Sequence, residues 1–243
     1  MILANARHQM SREDAQLAVR LVSGDSADDR DEGQRRLADE GIDSILDDPR
    51  LPAALIHSRL GAYASLRLFL YVMVRHALIN AGERDRSVSD YLAALLLAFA
   101  ARDRAERIGE ADDQLYDSLV DLVGDVNDRD PRRAFLVRVH LGNRALWVAG
   151  LFPDRIEQRK WKRGGPDLEY FEAIGKRGFE LAAEHRIAEQ YGMAELYAAV
   201  AERFGRLRVA LNAVSDRLLF PNVSTPERLM RQVRDDARWK LAG

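Results

Sequence analysis

Apolar residues recur at steps of three and four along almost the whole chain, and no stretch alternates apolar and polar residues over a strand's length. Steps of three to four keep side chains on one helix face, whereas a strand needs a step of two. Leu115, Leu119, Leu122, Val123 and Val126 follow this spacing. Val200, Phe204, Leu207, Leu211, Val214 and Leu218 alternate fours and threes, as in a coiled-coil seam. The chain is expected to be all-α, without a sheet and without a repeat of fixed period.

Caps and breakers divide it. Ser11-Arg12-Glu13-Asp14 is a capping box for a helix ending near Gly24, and a second helix runs from about Asp28 to Leu46, before Pro49. A long helix is expected from about Pro52 to Asn80. Ser87-Val88-Ser89-Asp90 caps another, from Tyr91 to about Ile108. Asp130-Pro131 pairs a capping side chain with proline at the first helical position, and that helix halts at Pro153. Residues 155–165 read as a basic loop. A helix from about Asp167 to Gln190 follows, then the seam helix, broken by Pro221, and a last one capped at Thr225-Pro226-Glu227. The sum is one domain, 1–243, a multi-helix bundle of roughly eight or nine helices. Acidic N-terminal helices (1–50) would be peripheral, with a charged helix (221–243) at the other end.

With 47% apolar and 31% charged residues among 243, the chain resembles folded proteins rather than disordered ones. Its formal charge of −2 provides no global field toward nucleic acid or an anionic membrane. No cysteine is present, which removes disulfides, thiolate nucleophiles and Cys-ligated metals and fits a reducing cytoplasm. The first residues lack the basic start and apolar stretch of a signal peptide. The apolar run Leu60–Ala81 carries Arg67, Arg75 and His76, and Tyr91–Ala101 is too short to span a bilayer, so both read as core helices.

Common catalytic signatures are missing. No histidine follows Asp or Glu by three residues, and there is no His-Glu-x-x-His, no Gly-x-x-x-x-Gly-Lys loop and no Gly-x-Ser-x-Gly elbow. No metal and no cofactor is expected, and no short helix pair carries a basic, base-reading second helix.

Several constellations remain. Tyr63, Arg67, Tyr71 and Arg75 recur every four residues, a ladder that could grip an anion or simply mark a solvent edge. Arg133, His140 and Arg144 share the Pro131 helix with Trp147. If that stripe faced the ladder, Arg67, Tyr71, Arg75, His140 and Arg144 would line a ligand pocket. The alternative for His140 is an ordinary hydrogen-bonded histidine, and for His185 a satisfied core-edge one. Gly142, Ala145, Ala149 and Gly150, and then Gly175, Gly178 and Ala182, form small-residue faces suited to close helix crossing or, as the minority reading, a flat ligand. In the basic loop, Arg159, Lys160, Trp161, Lys162 and Arg163 are candidate partner contacts, with solvation of the charges as the alternative.

Leu141-Gly142-Asn143-Arg144-Ala145-Leu146-Trp147-Val148-Ala149-Gly150-Leu151-Phe152-Pro153, followed by Tyr170-Phe171-Glu172-Ala173-Ile174-Gly175-Lys176-Arg177-Gly178-Phe179, resembles an uncharacterised group of bacterial helical proteins. That resemblance implies a bacterial origin and a helical fold, and no activity.

The leading expectation is a non-enzymatic bacterial protein that binds protein partners and forms a homodimer. The seam either pairs with a second copy or, the favoured alternative, folds into the monomer core, which leaves the N-terminal helices or the C-terminal segment with Trp239 as the interface. The alternative is a helical bundle binding or transforming a small anionic ligand in the Arg/Tyr/His pocket. Nucleic-acid contact through residues 155–165 ranks third.

Overall fold

The computed structural model describes residues 1–23, 27–101, 103–109 and 112–240. Every regular element among them is helical, with no strand. They hold fourteen α-helices rather than eight or nine, because several long apolar runs are cut by caps inside them. The chain gathers into two compact units, Ile2–Ala101 and Arg102–Gly243, the latter joined by Met1.

The N-terminal unit contains α1 (Arg12–Ser23), α2 (Ala27–Glu40), α3 (Ile42–Leu46), α4 (Leu51–His57), α5 (Leu66–Asn80) and α6 (Arg86–Ala100). The capping box at Ser11 and Asp14 is present, and Asp14 also accepts a 2.8 Å hydrogen bond from the Ser65 hydroxyl. The first helix's predicted end near Gly24 lies outside the described residues. The expected Asp28–Leu46 helix breaks at Gly41, whose φ of 79° suits glycine and interrupts the ladder. The expected Pro52–Asn80 helix breaks too. Ser58 caps a 3-10 turn, Arg59–Tyr63, and Ser65 then caps α5 through Leu68 N at 3.0 Å. Gly61 permits this fold-back: a Cβ there would stand 2.0 Å from the Leu55 carbonyl oxygen. Leu68, Val72 and Leu78 of α5 and Val88, Leu92 and Leu95 of α6 are buried in this unit's core.

The C-terminal unit contains α7 (Leu119–Asp125), α8 (Pro131–Leu151), α9 (Pro153–Arg163), α10 (Leu168–Ala183), α11 (Arg186–Gln190), α12 (Ala194–Glu202), α13 (Phe204–Val214) and α14 (Pro226–Lys240). α8 is its axis. α10 crosses α8 where a Cβ on Gly178 would meet Gly142 N at 2.8 Å and Arg138 O at 2.9 Å, and α13 packs where one on Gly150 would meet Leu211. The small-residue faces therefore serve helix crossing. Asn212 Nδ2 donates to the carbonyls of Ala149 and Gly150, both at 2.7 Å, and Ser215 Oγ donates to Leu151 O at 2.6 Å. These bonds satisfy carbonyls that the end of a helix leaves without partners.

The seam is not one helix. It is split between α12 and α13 at Arg203, and Val200, Phe204, Leu207, Leu211 and Val214 are buried within the unit, so the stripe fills a core. The Asp167–Gln190 run also divides, because His185 caps α11 with Nδ1 accepting from Ile187 N at 3.2 Å. The largest correction concerns residues 155–165. Pro153 begins α9 as well as ending α8, Asp154 sits in its first turn, and Lys160, Lys162 and Arg163 sit in its last. These charges favour the helix dipole, and Gly164 closes the helix with φ 64°. The basic segment is a helix.

α14 is inverted relative to an ordinary amphipathic helix. It buries Arg228, Arg231 and Asp235, while Leu229, Met230 and Val233 are 55%, 65% and 69% exposed. The buried face is neutralised inside the unit: Arg231 meets Asp216 at 2.8 Å and Asp154 at 3.2 Å, and Arg228 also pairs with Asp154.

Candidate functional site

The predicted ligand residues divide between the units, three in the N-terminal one. There Tyr63 lies in the 3-10 turn, 80% exposed, so the four-residue ladder is not a single helical stripe. Arg75 is buried, with Nε and Nη2 donating to the Asp47 carboxylate at 2.8 and 3.1 Å and Nη1 donating to Arg84 O at 2.9 Å. Its fork joins α5 to the turn after α3 and to the approach to α6. Arg67 donates to Gln9 O at 2.8 Å. Tyr71 is buried with its hydroxyl unpartnered, and desolvation raises its pKa. Arg75 is thus a framework residue, its guanidinium already satisfied by a carboxylate.

In the C-terminal unit, His140 is also structural. It is buried, and its Nε2 lies 3.0 Å from Ala105 O. Burial, then the Arg104 and Arg144 charges, push its pKa down to about 3, so it is neutral and donates to that carbonyl. Arg133 meets Asp112 at 2.9 Å and donates to Tyr116 Oη at 2.7 Å, while Tyr116 donates to Asp125 at 2.7 Å. Desolvation and that carboxylate push the Tyr116 phenol up to about 12. This cluster pins residues 112–118, whose carbonyls at Tyr116 and Asp117 accept from Arg144 Nη1 and Nη2.

Arg144 does reach a cleft. With Trp147 and Val148 of α8 it forms one wall of a cavity of about 620 Å³; Leu119 and Val120 of α7 and Tyr170 and Phe171 of α10 supply further surface. The opposite wall is α9. Arg155, Arg159 and Arg163 recur at i, i+4 and i+8 on its cleft side, with buried Ile156 beneath them. Among the described residues these three exposed arginines make no ion pair, whereas Lys160 on the same helix is held by Asp167 at 3.2 Å. Among the described residues, the cleft's lining holds two carboxylates, Glu106 and Asp117, against four arginines. Helical geometry therefore distributes the five predicted partner residues. Arg159 and Arg163 face this cleft, Lys160 is paired, and Trp161, 68% exposed, faces a smaller cleft with Lys162 on the other side of α9.

A third hollow, of about 480 Å³, surrounds Arg208, Glu172 and Asp235, whose charges satisfy one another. Among the described residues no group of three His, Asp or Glu could hold a metal ion, and no helix is long and apolar enough to cross a membrane. The chain matches no protein family, no curated protein and no solved structure.

Proposed function

We propose that the C-terminal unit is a non-catalytic binding module for a small organic anion with an apolar body, seated between α8 and α9. One observation carries this reading: three arginines without carboxylate partners line up along α9 above an apolar, aromatic floor that Arg144 also borders. A guanidinium fork suits a carboxylate or phosphate, and the cavity volume lies in the range of small-molecule sites. Titration calorimetry tests it. Hexanoate should bind, uncharged hexanol should bind more weakly, and Arg159→Glu with Arg163→Glu should weaken hexanoate at least about tenfold. Equal binding of the acid by wild type and double variant would refute the site.

A second reading, association with another copy, is favoured by the outward apolar stripe of α14, since the seam that first suggested pairing is internal. Among the described residues of the N-terminal segment 1–50, α2 exposes mostly charged and polar side chains. The side chain of Trp239, the other C-terminal candidate, lies outside the described residues. A bacterial, cytoplasmic setting belongs to the same proposal and rests on the cysteine-free sequence and on the resemblance over residues 141–179.

A further inference from the structure

The cleft between α8 and α9 has a neighbour. A second cavity, of about 420 Å³, lies on the other side of α9, and Phe152 and Arg155 line both. Trp147, in the first cleft, meets the Phe152 ring edge-on with centroids 5.1 Å apart; Phe152 in turn meets Phe220, in the second, at 6.3 Å. An unbroken aromatic strip thus runs from one cleft to the other around the start of α9.

The two ends differ in charge. The first cleft sets four arginines against two carboxylates. The second sets Arg155 and Lys162 against Asp154 and Glu227, and Asp154 is already engaged by Arg228 and Arg231. Leu151, Pro153, Phe220 and Val223 make the rest of its wall mainly apolar. An acidic head is favoured in the first cleft, whose four arginines exceed the two cations, Arg155 and Lys162, that line the second. Apolar surface removed from water adds affinity with each buried methylene, so a chain that crosses Phe152 gains affinity in the second cleft.

Resting on the ligand-binding reading above, we infer that the ligand is a single-headed acidic amphiphile of the long-chain carboxylate class. Its head lies among Arg144, Arg159 and Arg163, and its chain passes over Phe152 into the cleft bounded by Phe220 and Val223.

Calorimetry with hexanoate and with dodecanoate, below its micellar concentration, tests this on the full chain. Dodecanoate should bind at least tenfold more tightly than hexanoate. Val223→Trp fills only the second cleft from a residue already 38% exposed. It should abolish that advantage and leave hexanoate unchanged, and Phe220→Ala should reduce dodecanoate binding in the same selective way. Retained hexanoate binding certifies that each variant is folded. If the two acids bind alike, or Val223→Trp leaves dodecanoate unaffected while hexanoate still binds, the two-cleft ligand is refuted and the simpler anion site stands. If neither acid binds the wild-type protein, both readings fall.

Discussion

Arg208 of α13 grips Asp235 of α14 through two parallel hydrogen bonds, Nη1 to Oδ2 at 2.8 Å and Nη2 to Oδ1 at 2.6 Å, and both side chains are buried. Its remaining donors reach Glu172 Oε1 at 2.7 Å and Asn212 Oδ1 at 2.7 Å, so one guanidinium joins α10, α13 and α14. Burial opposes its charge, and these carboxylates more than restore it, leaving its pKa raised.

Breaking such a pair from one side strands a buried charge, at a cost of about 3–5 kcal/mol. Arg208→Ala is expected to destabilise the protein by that order in urea unfolding. Arg208→Lys should recover little of the loss, because an ammonium cannot reproduce the planar fork. Stability within about 1 kcal/mol of wild type for Arg208→Ala would show the network to be dispensable.

The crossing of α8 and α10 allows a controlled comparison of glycines. Gly178→Ala places a methyl against the backbone of Gly142 and Arg138, atoms that can yield only if the two helices separate. A loss of about 1–3 kcal/mol is expected. Gly124 in α7 has nothing within 4 Å of its would-be Cβ. There, alanine should stabilise by up to about 1 kcal/mol through helix propensity alone. Thermal unfolding of the two variants should move in opposite directions.

Helical class could be read from the spacing of apolar residues, and the caps at Ser11, Asp130 and Thr225 from their side chains. The cap expected at residues 87–90 instead lies inside α6, which Asp85 caps by accepting from Ser87 N and Val88 N. The positions of breaks could not be read. Gly61 interrupts an apolar run because the chain doubles back onto the Leu55 carbonyl, a tertiary approach that periodicity does not register. Pro153 looked like a terminator, yet it ends one helix and begins the next. That single misreading hid the cleft, since Arg155, Arg159 and Arg163 form a stripe only at helical spacing. Arg144 and Trp147 were visible as site candidates on α8. Arg75 and His140 had the right chemistry, but Asp47 and the Ala105 carbonyl already satisfy them, and sequence spacing gave no sign of either partner.

His140 should make the protein acid-sensitive. Its pKa falls from 6.5 to about 3 on folding, so between those values the unfolded chain binds more protons than the folded one. The contribution is complete above about pH 6.5 and declines as pH drops toward 3, at up to about 1.4 kcal/mol per unit. His76 and His185 are shifted in the same direction, mainly by burial, and add to the trend. Urea midpoints at pH 7 and pH 5 should therefore differ less for His140→Gln than for wild type. An identical pH dependence in the two proteins would mean that the ring is not held neutral.

The inverted helix gives the last prediction. α14 docks through Arg228, Arg231 and Asp235, so nothing in its own attachment depends on Leu229, Met230 or Val233. A helix that buries charge and exposes its apolar face carries a hydrophobic cost in isolation, which a second copy pairing stripe to stripe would remove. The commonest closed arrangement is two-fold, and pairing α14 antiparallel with its counterpart about Val233 would bring Glu227 of one copy near Arg238 of the other. A stripe of three apolar side chains is modest beside the roughly 800 Å² per partner of a standard interface, so the dimer should be weak, dissociating at micromolar concentration. Light scattering across a concentration series should show a dimer for wild type and a monomer for Met230→Glu with Val233→Glu, with unchanged helical circular dichroism. A wild type that stays monomeric at hundreds of micromolar would dismiss the pairing. Loss of the fold in the double variant would instead mean that the stripe is needed inside the chain.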